Sequence, residues 1–339
     1  MARPESPHDK LFGEAFASVE AARGLLQGTL PKALLAKLDL STLTPVPGTF
    51  IDEALVGAQS DLLFSVKFAG RPALIYVLFE HKSWVDRWVA LQLLRYIIRI
   101  WERVRAEEPR LAGLPPVIPL VVYHGESGWT APRGLWELLD VAVREEPALG
   151  RLTPSFEFLV DDLTQATDEE IFSRAMGLFA GIAAIFLRDA RSPSRVVPML
   201  KRLGAMLEEL WRAPNGRRAV TILMRYISLV ADVSQEEVVA AVESKLPEAK
   251  ELIMTMAERL RQEGLEKGLE KGLEKGLKQG LEKGMLSGRI QTVRRQLELR
   301  FGALDQAAVQ RLESSDEAAL ERFAERVLTA RTVEEVLAS

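Results

Sequence analysis

The sequence contains no cysteine among its 339 residues. This absence excludes a disulfide-stapled scaffold, thiolate zinc sites, iron–sulfur clusters and a cysteine nucleophile. Only three histidines are present, His8, His81 and His124, so a multi-histidine metal site is not expected either. A metal ion bound by this chain would therefore be held by carboxylate oxygens, which favours Mg²⁺, with Mn²⁺ as the alternative.

Long hydrophobic runs and a large excess of one charge are also missing. The longest apolar run, residues 175–187, has 13 residues, whereas a helix needs about 20 to span a bilayer. The 44 Lys and Arg against 48 Asp and Glu give a net charge of −4, which excludes a uniformly basic chain but not a local basic surface. Because the first residues also lack a signal-peptide pattern, we expect a soluble cytoplasmic protein that does not associate with membranes.

Hydrophobic patterning predicts a mixed α/β region that is followed by helices. Residues 10–38 favour two helices with a break near Pro31, and a helix is predicted over 85–104. Apolar runs predict strands at residues 49–52, 61–68, 73–79, 117–123 and 155–160. Since one helix lies between two of these strands, we expect a mixed sheet with a helical crossover. Pro119 suggests an edge strand or a bulge.

Beyond residue 168 the strand pattern ends. Helices are predicted at residues 168–188, 196–211, 217–231 and 235–263, and the turn Pro214-Asn215-Gly216 separates two of them. The chain after residue 288 is rich in Ala, Glu and Arg, which predicts a small helical terminus.

A four-residue repeat occupies residues 262–288, which read QEGLEKGLEKGLEKGLKQGLEKGMLSG. On a helix each four-residue step turns ~400°, so the glycine and leucine stripes drift by ~40° per repeat. Each interior glycine costs ~1 kcal/mol relative to alanine, so such a helix is marginal alone. The glycine stripe would admit a second helix closely, which predicts a homo-oligomer through the repeat. The alternative is a solvated, partly helical linker.

The candidate chemistry lies at the ends of two predicted strands. Asp61 opens one strand, and Glu80 and Lys82 end the next, so a hairpin would bring them together. Two carboxylates and the backbone carbonyl of His81 form an oxygen set that suits Mg²⁺. A bound metal lowers the pKa of water, and a lysine beside it can orient that water or meet developing charge. An ordinary charged strand end is the alternative.

The following predicted helix carries a second signal. Gln92 and Tyr96 are four residues apart and share a face, and Arg95 and Arg99 share the neighbouring face. The planar guanidinium binds two phosphate oxygens at once, so this helix predicts contacts with a DNA backbone. Residues 81–110 hold seven Lys and Arg against four Asp and Glu. A solvated face of an amphipathic helix is the alternative.

Taken in order, several segments resemble a known family: HDKLF at residues 8–12, SDLLFSV at 60–66, IYVLFEHKS at 75–83, ALQLLRYIIRIW at 90–101 and VIPLVVYHG at 117–125. They resemble the recombination-promoting nucleases, whose members are also labelled as proposed transposases of the PD-(D/E)XK nuclease superfamily. The resemblance covers roughly residues 7–200. It implies a restriction-endonuclease-like α/β core, a mixed sheet flanked by helices, and metal-dependent DNA endonuclease activity.

We therefore divide the chain into four parts: a PD-(D/E)XK nuclease-like core at 7–165, a helical region at 166–261, the repeat at 262–288 as a helical or coiled-coil linker, and a small helical domain at 289–339. Everything after the core is expected to be helical.

The resemblance also assigns roles by position. Asp61 and Glu80 match the metal-binding acids, and Lys82 matches the lysine of E-x-K. Gln92 and Tyr96 match a Q-x-x-x-Y pattern on the helix that follows the active strand in some relatives.

The chain departs from the family pattern at two positions. Ser60 stands where proline is expected before Asp61, and many relatives carry glutamine at the position of Lys82. Glu14 or Glu53 would supply an accessory ligand. The alternative functions are a catalytically inactive oligomeric DNA-binding or scaffold protein, and a transposase that performs strand transfer.

Overall fold

The computed structural model describes residues 6–46, 62–80, 85–146 and 148–338, with side chains except at 76–80, 142, 256, 257, 260, 263 and 267. The first part of the chain forms three helices, α1 (Pro7–Phe16), α2 (Val19–Thr29) and α3 (Lys32–Leu35). Five strands follow: β1 (Leu38–Val46), β2 (Leu62–Phe68), β3 (Arg71–Glu80), β4 (Val117–Tyr123) and β5 (Leu159–Asp162). Helix α4 (Val89–Glu107) connects β3 to β4, and the short α5 (Val141–Arg144) precedes β5.

The remaining described elements are helical: α6 (Asp168–Ser173), α7 (Leu178–Asp189), α8 (Pro193–Arg212), α9 (Gly216–Val230), α10 (Gln235–Val242), α11 (Ala249–Phe301), α12 (Gln306–Glu313), α13 (Glu317–Arg326) and α14 (Val333–Leu337). The mixed α/β region and the helical C-terminal part are thus both confirmed.

The five strands form one mixed sheet in the order β1-β2-β3-β4-β5. Strands β1, β2 and β3 are antiparallel neighbours, and β3, β4 and β5 are parallel neighbours. Ala69 and Gly70 turn β2 into β3 with positive φ angles of 49° and 80°. Because β3 and β4 are parallel, the chain needs a crossover between them, and α4 provides it. The predicted hairpin and the predicted helical crossover are both confirmed.

Two strand predictions need correction. Residue 38 was predicted to be helical and Pro45 to lie in a loop, yet both belong to β1, an edge strand that is bulged between Asp39 and Thr44. An edge position tolerates proline because the missing N–H faces no partner. Strand β4 lies inside the sheet, so the edge position predicted from Pro119 is wrong. Pairing with β5 begins only at Leu120, so Pro119 meets a strand on one side alone.

Three helix predictions were too long. The region 168–188 breaks after α6, where Ala175 and Gly177 take positive φ angles of 51° and 79°. In the first region the break after Thr29 is confirmed, but a second break comes at Ser18, whose hydroxyl caps α2. The region 235–263 breaks between α10 and α11, around Pro247. The predicted strand at 49–52 lies outside the described residues.

Helices cover both faces of the sheet. Alternate strand residues point to opposite faces, and the two sets belong to separate buried clusters: Phe64, Ile75 and Val122 with α1, α2 and α7 to α10, and Leu63, Leu74 and Val121 with α4. The sheet is therefore the middle of three layers. The larger cluster joins strands to helices on both sides of residue 165, and the predicted boundary there stays a prediction.

The chain divides by its contacts into two units, Met1–Ala257 and Glu258–Ser339, with the division inside α11. The second unit has its own buried cluster, which includes Leu297, Leu312 and Phe323. The repeat lies wholly within α11 and is helical. No helix in the described part of the chain is long and apolar enough to cross a membrane.

Candidate active site

The predicted catalytic strand ends at the edge of the sheet where three parallel strands finish. Glu80 is the last residue of β3, and its Cα pairs with that of Tyr123, the last residue of β4. In the antiparallel direction β2 begins at the same edge, where Leu62 pairs with Val77. The carboxyl ends of parallel strands are where open α/β sheets bind ligands. The backbone of Glu80 thus lies where chemistry is usual for this type of sheet.

The other predicted groups of this site fall outside the description. Asp61, His81, Lys82 and Glu53 lie outside the described residues, and the side chain of Glu80 is not described. Within the described residues, no group of three or more His, Cys, Asp and Glu side chains could hold a metal ion. The predicted ligand set of Asp61, Glu80 and the His81 carbonyl therefore stays a prediction.

The four residues that were predicted to bind DNA line one groove. The groove runs along α4, has a volume of about 810 Å³ and is lined by Gln92, Arg95, Tyr96 and Arg99 among others. Tyr96 is buried in the cluster beneath the helix, Gln92 is half-buried, and both arginines are exposed. The Nη1 atom of Arg99 lies 3.7 Å from Oε2 of Glu102. The groove therefore has an apolar floor, and its rim carries two arginines together with two acidic side chains, Asp86 and Glu102.

The two tryptophans beside and on α4, Trp88 and Trp101, have different surroundings. The ring of Trp88 is half-exposed, with the guanidinium carbon of Arg87 at 5.4 Å from its centroid. The indole of Trp101 donates a hydrogen bond to the Pro115 carbonyl at 2.8 Å and so ties α4 to the start of β4. Trp88 thus keeps an exposed ring at the groove, whereas Trp101 has a structural role.

Glu14 is engaged elsewhere in the fold. Nη2 of Arg218, on α9, donates to both of its carboxylate oxygens, at 3.0 and 2.9 Å. Glu14 is not among the described residues that line the α4 groove. Its proposed accessory role would require it to leave this ion pair.

Two of the three histidines hold elements together. Nδ1 of the fully buried His124 donates to the Leu187 carbonyl at 2.9 Å. Nδ1 of His8 lies 2.8 Å from the hydroxyl oxygen of Tyr226, and the two imidazole rings are 5.0 Å apart. Burial raises the pKa of the Tyr226 phenol well above its usual value. These contacts join α1, β4, α7 and α9.

Sequence reasoning missed an arginine–aspartate network beside β5. Arg188 donates to Asp189 and Asp168 at 2.7 and 2.6 Å, and Arg202 contacts the same two acids. Although burial acts to raise it, hydrogen bonds from Arg188 and Arg202 hold the pKa of Asp168 below its usual value. The partners lie on α6, α7 and α8, so no spacing along the chain could have revealed the network.

These features define a class: an α/β protein with a five-stranded mixed sheet and an arginine-rimmed groove on its crossover helix. The chain belongs to the family described as "Putative transposase, YhgA-like", whose model matches residues 6–217. The resemblance predicted from the sequence motifs is thereby confirmed.

Curated relatives match over most of the chain. Recombination-promoting nuclease RpnD of Escherichia coli O157:H7 is 29% identical over 76% of this chain and 95% of its own length. Recombination-promoting nuclease RpnA of Escherichia coli K12 is 32% identical over 76% and 85%. An inactive recombination-promoting nuclease-like protein, RpnE, of the same strain is 30% identical over 76% and 83%. No solved structure gives a significant match.

Proposed function

We propose that this protein is a metal-dependent DNA endonuclease with a PD-(D/E)XK core, which hydrolyses phosphodiester bonds at the edge of the sheet where β3 ends. The observation that carries the proposal is the position of Glu80, which is the last residue of an internal strand. The next described helix along the chain is the crossover helix, whose groove carries Arg95 and Arg99. Relatives that are named nucleases support it.

The donor set suits a hard divalent cation. Asp61, Glu80 and the His81 carbonyl offer only oxygen atoms, which Mg²⁺ prefers and Mn²⁺ accepts. Such an ion would lower the pKa of a bound water and stabilise negative charge on the phosphoryl oxygen. Lys82 would position the attacking water, and Glu53 or Glu14 would supply an accessory oxygen.

The α4 groove would hold the substrate. Arg95 and Arg99 would bind phosphate oxygens of the DNA, while Gln92 and Tyr96 would face the DNA strand from the floor of the groove. Contacts with phosphates position DNA but carry little sequence information. Binding should therefore weaken steeply with salt and show little sequence preference.

A second candidate is a catalytically inactive DNA-binding or scaffold protein that retains the fold. The relative that is named inactive, 30% identical over a similar span, favours it. This candidate predicts DNA binding that needs neither Mg²⁺ nor Glu80. A third outcome, strand transfer by the same carboxylates, would yield joined DNA products.

The test is nicking of supercoiled plasmid by the wild type, Glu80→Gln and Glu107→Gln at low salt, with Mg²⁺, Mn²⁺ or EDTA. The control changes one carboxylate at the far end of α4, where Glu107 pairs with Arg103 at 2.6 Å. We expect nicking that EDTA abolishes and that Glu80→Gln lowers about 100-fold or more, with Glu107→Gln unchanged. A folded wild type that binds the plasmid but cuts it with neither metal would favour the second candidate.

A further inference from the structure

A second pocket opens at the sheet edge where β4 and β5 end. It has a volume of about 440 Å³ and lies between the loop after β4, the turn after β5 and the start of α8. Its lining includes Gly125, Glu126, Gln165, Arg188, Arg191 and Arg195. We propose that this pocket binds a phosphate group of the DNA strand close to the cleavage position, an inference that rests on the proposed function.

Arginine supplies the charge of the pocket. Three arginines line it against one acidic side chain, Glu126, among the described lining residues. Arg188 forms a fixed wall, because Asp189, Asp168 and the Ala166 carbonyl accept its hydrogen bonds at 2.6–2.9 Å. The side chain of Arg195 is 65% exposed, and its Nη1 lies 3.8 Å from Oδ1 of Asp189. An oxyanion can replace so long a contact with a shorter, bidentate one.

The walls of the pocket are held in place before any ligand arrives. Asp162, the last residue of β5, accepts hydrogen bonds from the backbone N–H groups of Trp129 at 2.7 Å and Thr164 at 3.0 Å. A Cβ atom on Gly128 would lie 2.9 Å from Nε2 of Gln165, and one on Gly125 would collide with the Tyr123 hydroxyl. A pocket with fixed walls loses little conformational entropy on binding.

The start of α8 adds a favourable field to these arginines. This helix has 20 residues, and the hydroxyl of the preceding Ser192 accepts no hydrogen bond from the backbone N–H groups of its first turn. That hydroxyl lies 3.1 Å from the hydroxyl of Ser194. The positive end of the helix dipole therefore faces the pocket together with Arg191 and Arg195, and both act on an anion with the same sign.

The distance between the pocket and Glu80 is short enough for one continuous DNA strand to reach both. Glu80 and Tyr123 are paired across neighbouring strands, and Gly125 follows Tyr123 by two residues. With the strand spacing and the reach of the chain, the Cα of Gly125 lies no more than about 12 Å from that of Glu80. This upper limit corresponds to at most about three nucleotides, at a rise of ~3.4 Å of helix axis per nucleotide of one strand. A strand cut beside Glu80 would thus offer a neighbouring phosphate to the pocket.

The test compares Arg195→Gln with Arg212→Gln in the full chain. Arg212 ends the same helix, its side chain is 73% exposed, and it pairs with Glu208 at 2.6 Å, so the control removes the same charge far from the pocket. Binding of a fluorescein-labelled duplex is measured by anisotropy in Ca²⁺ over a range of NaCl concentrations. We expect Arg195→Gln to weaken binding about tenfold and to reduce the slope of log K against log[salt] by about 1. Arg212→Gln should match the wild type.

A second arm of the test asks whether the pocket also binds a free phosphate anion, in the absence of DNA. Thermal unfolding is followed with inorganic pyrophosphate and with NaCl of equal ionic strength. Stabilisation that Arg195→Gln abolishes and Arg212→Gln retains would support a phosphate site, even if the wild type bound no DNA and the proposed function failed. If the wild type binds DNA but both variants behave alike in both arms, the pocket is not a phosphate site.

Discussion

Asp161, on the last strand of the sheet, and Arg174, at the C-terminal end of α6, form a buried ion pair. Nη1 of Arg174 lies 2.6 Å from Oδ2 of Asp161, and their side chains are only 12% and 5% exposed. Removing one partner of a buried pair leaves an uncompensated charge and typically costs about 3–5 kcal/mol. We expect Arg174→Met to lower the free energy of unfolding by that amount at pH 8. Urea denaturation measures it, with Arg212→Met as the exposed control.

The same variant should recover at acid pH. Burial raises the pKa of Asp161 above its usual value, although Arg174 lowers it by charge and by hydrogen bonding. Without Arg174 the pKa rises further in the folded state. A carboxyl whose pKa is raised on folding stabilises the folded state at low pH, and that stabilisation is lost as pH rises through the folded pKa. The deficit of Arg174→Met relative to the wild type should therefore be smaller at pH 5 than at pH 8, and an equal deficit at both would contradict this account.

At the scale of elements, the repeat presents two complementary stripes. Its leucines, Leu265, Leu269, Leu273, Leu277 and Leu281, are 64–75% exposed. A Cβ atom placed on Gly264, Gly268, Gly272, Gly276, Gly280, Gly284 or Gly288 would meet no described atom within 4 Å. Leucine thus forms a ridge and glycine the groove beside it, both along the four-residue rows of the helix. Such ridges and grooves interdigitate when two helices cross at about −50°.

Self-association through this helix can be distinguished from a solvated linker by substituting glycine. Gly272→Ala with Gly276→Ala adds about 2 kcal/mol of helix propensity but fills the groove. If two copies pack here, the variant should be more helical by circular dichroism and yet less associated by analytical ultracentrifugation. Glu270→Ala with Glu274→Ala is the control, since it changes the same stretch without entering the groove. A linker would show the gain in helicity and no change in mass.

Much of the sheet could be predicted from the chain, because β2, β3 and β4 are bounded apolar runs. Strand β1 could not, since only Leu38 and Leu43 of its residues are buried and polar residues interrupt its apolar positions without a regular alternation. The break at Ala175 was hidden because an apolar run continues through it, and alanine gives no sign of a positive φ angle. Glu80 could be placed at a strand end from local order alone. The pocket near Arg195 depends on tertiary packing, which no spacing encodes.

At the scale of the whole molecule, the two units should unfold separately, because each has its own buried cluster. Phe323 is 2% exposed in the cluster of the second unit, and Phe186 is fully buried in the first. Truncating a buried phenylalanine to alanine typically costs about 3–5 kcal/mol. By calorimetry we expect two transitions, with Phe323→Ala lowering the midpoint of one and Phe186→Ala that of the other.

The two units should also differ in how a destabilising substitution affects nuclease activity. Below both transitions, Phe323→Ala should nick plasmid at the wild-type rate, because every residue proposed for catalysis belongs to the first unit. The matched variant Phe186→Ala should lose nicking as its transition is approached. If both variants shift a single common transition, the chain unfolds as one cooperative body, and the two clusters are energetically coupled.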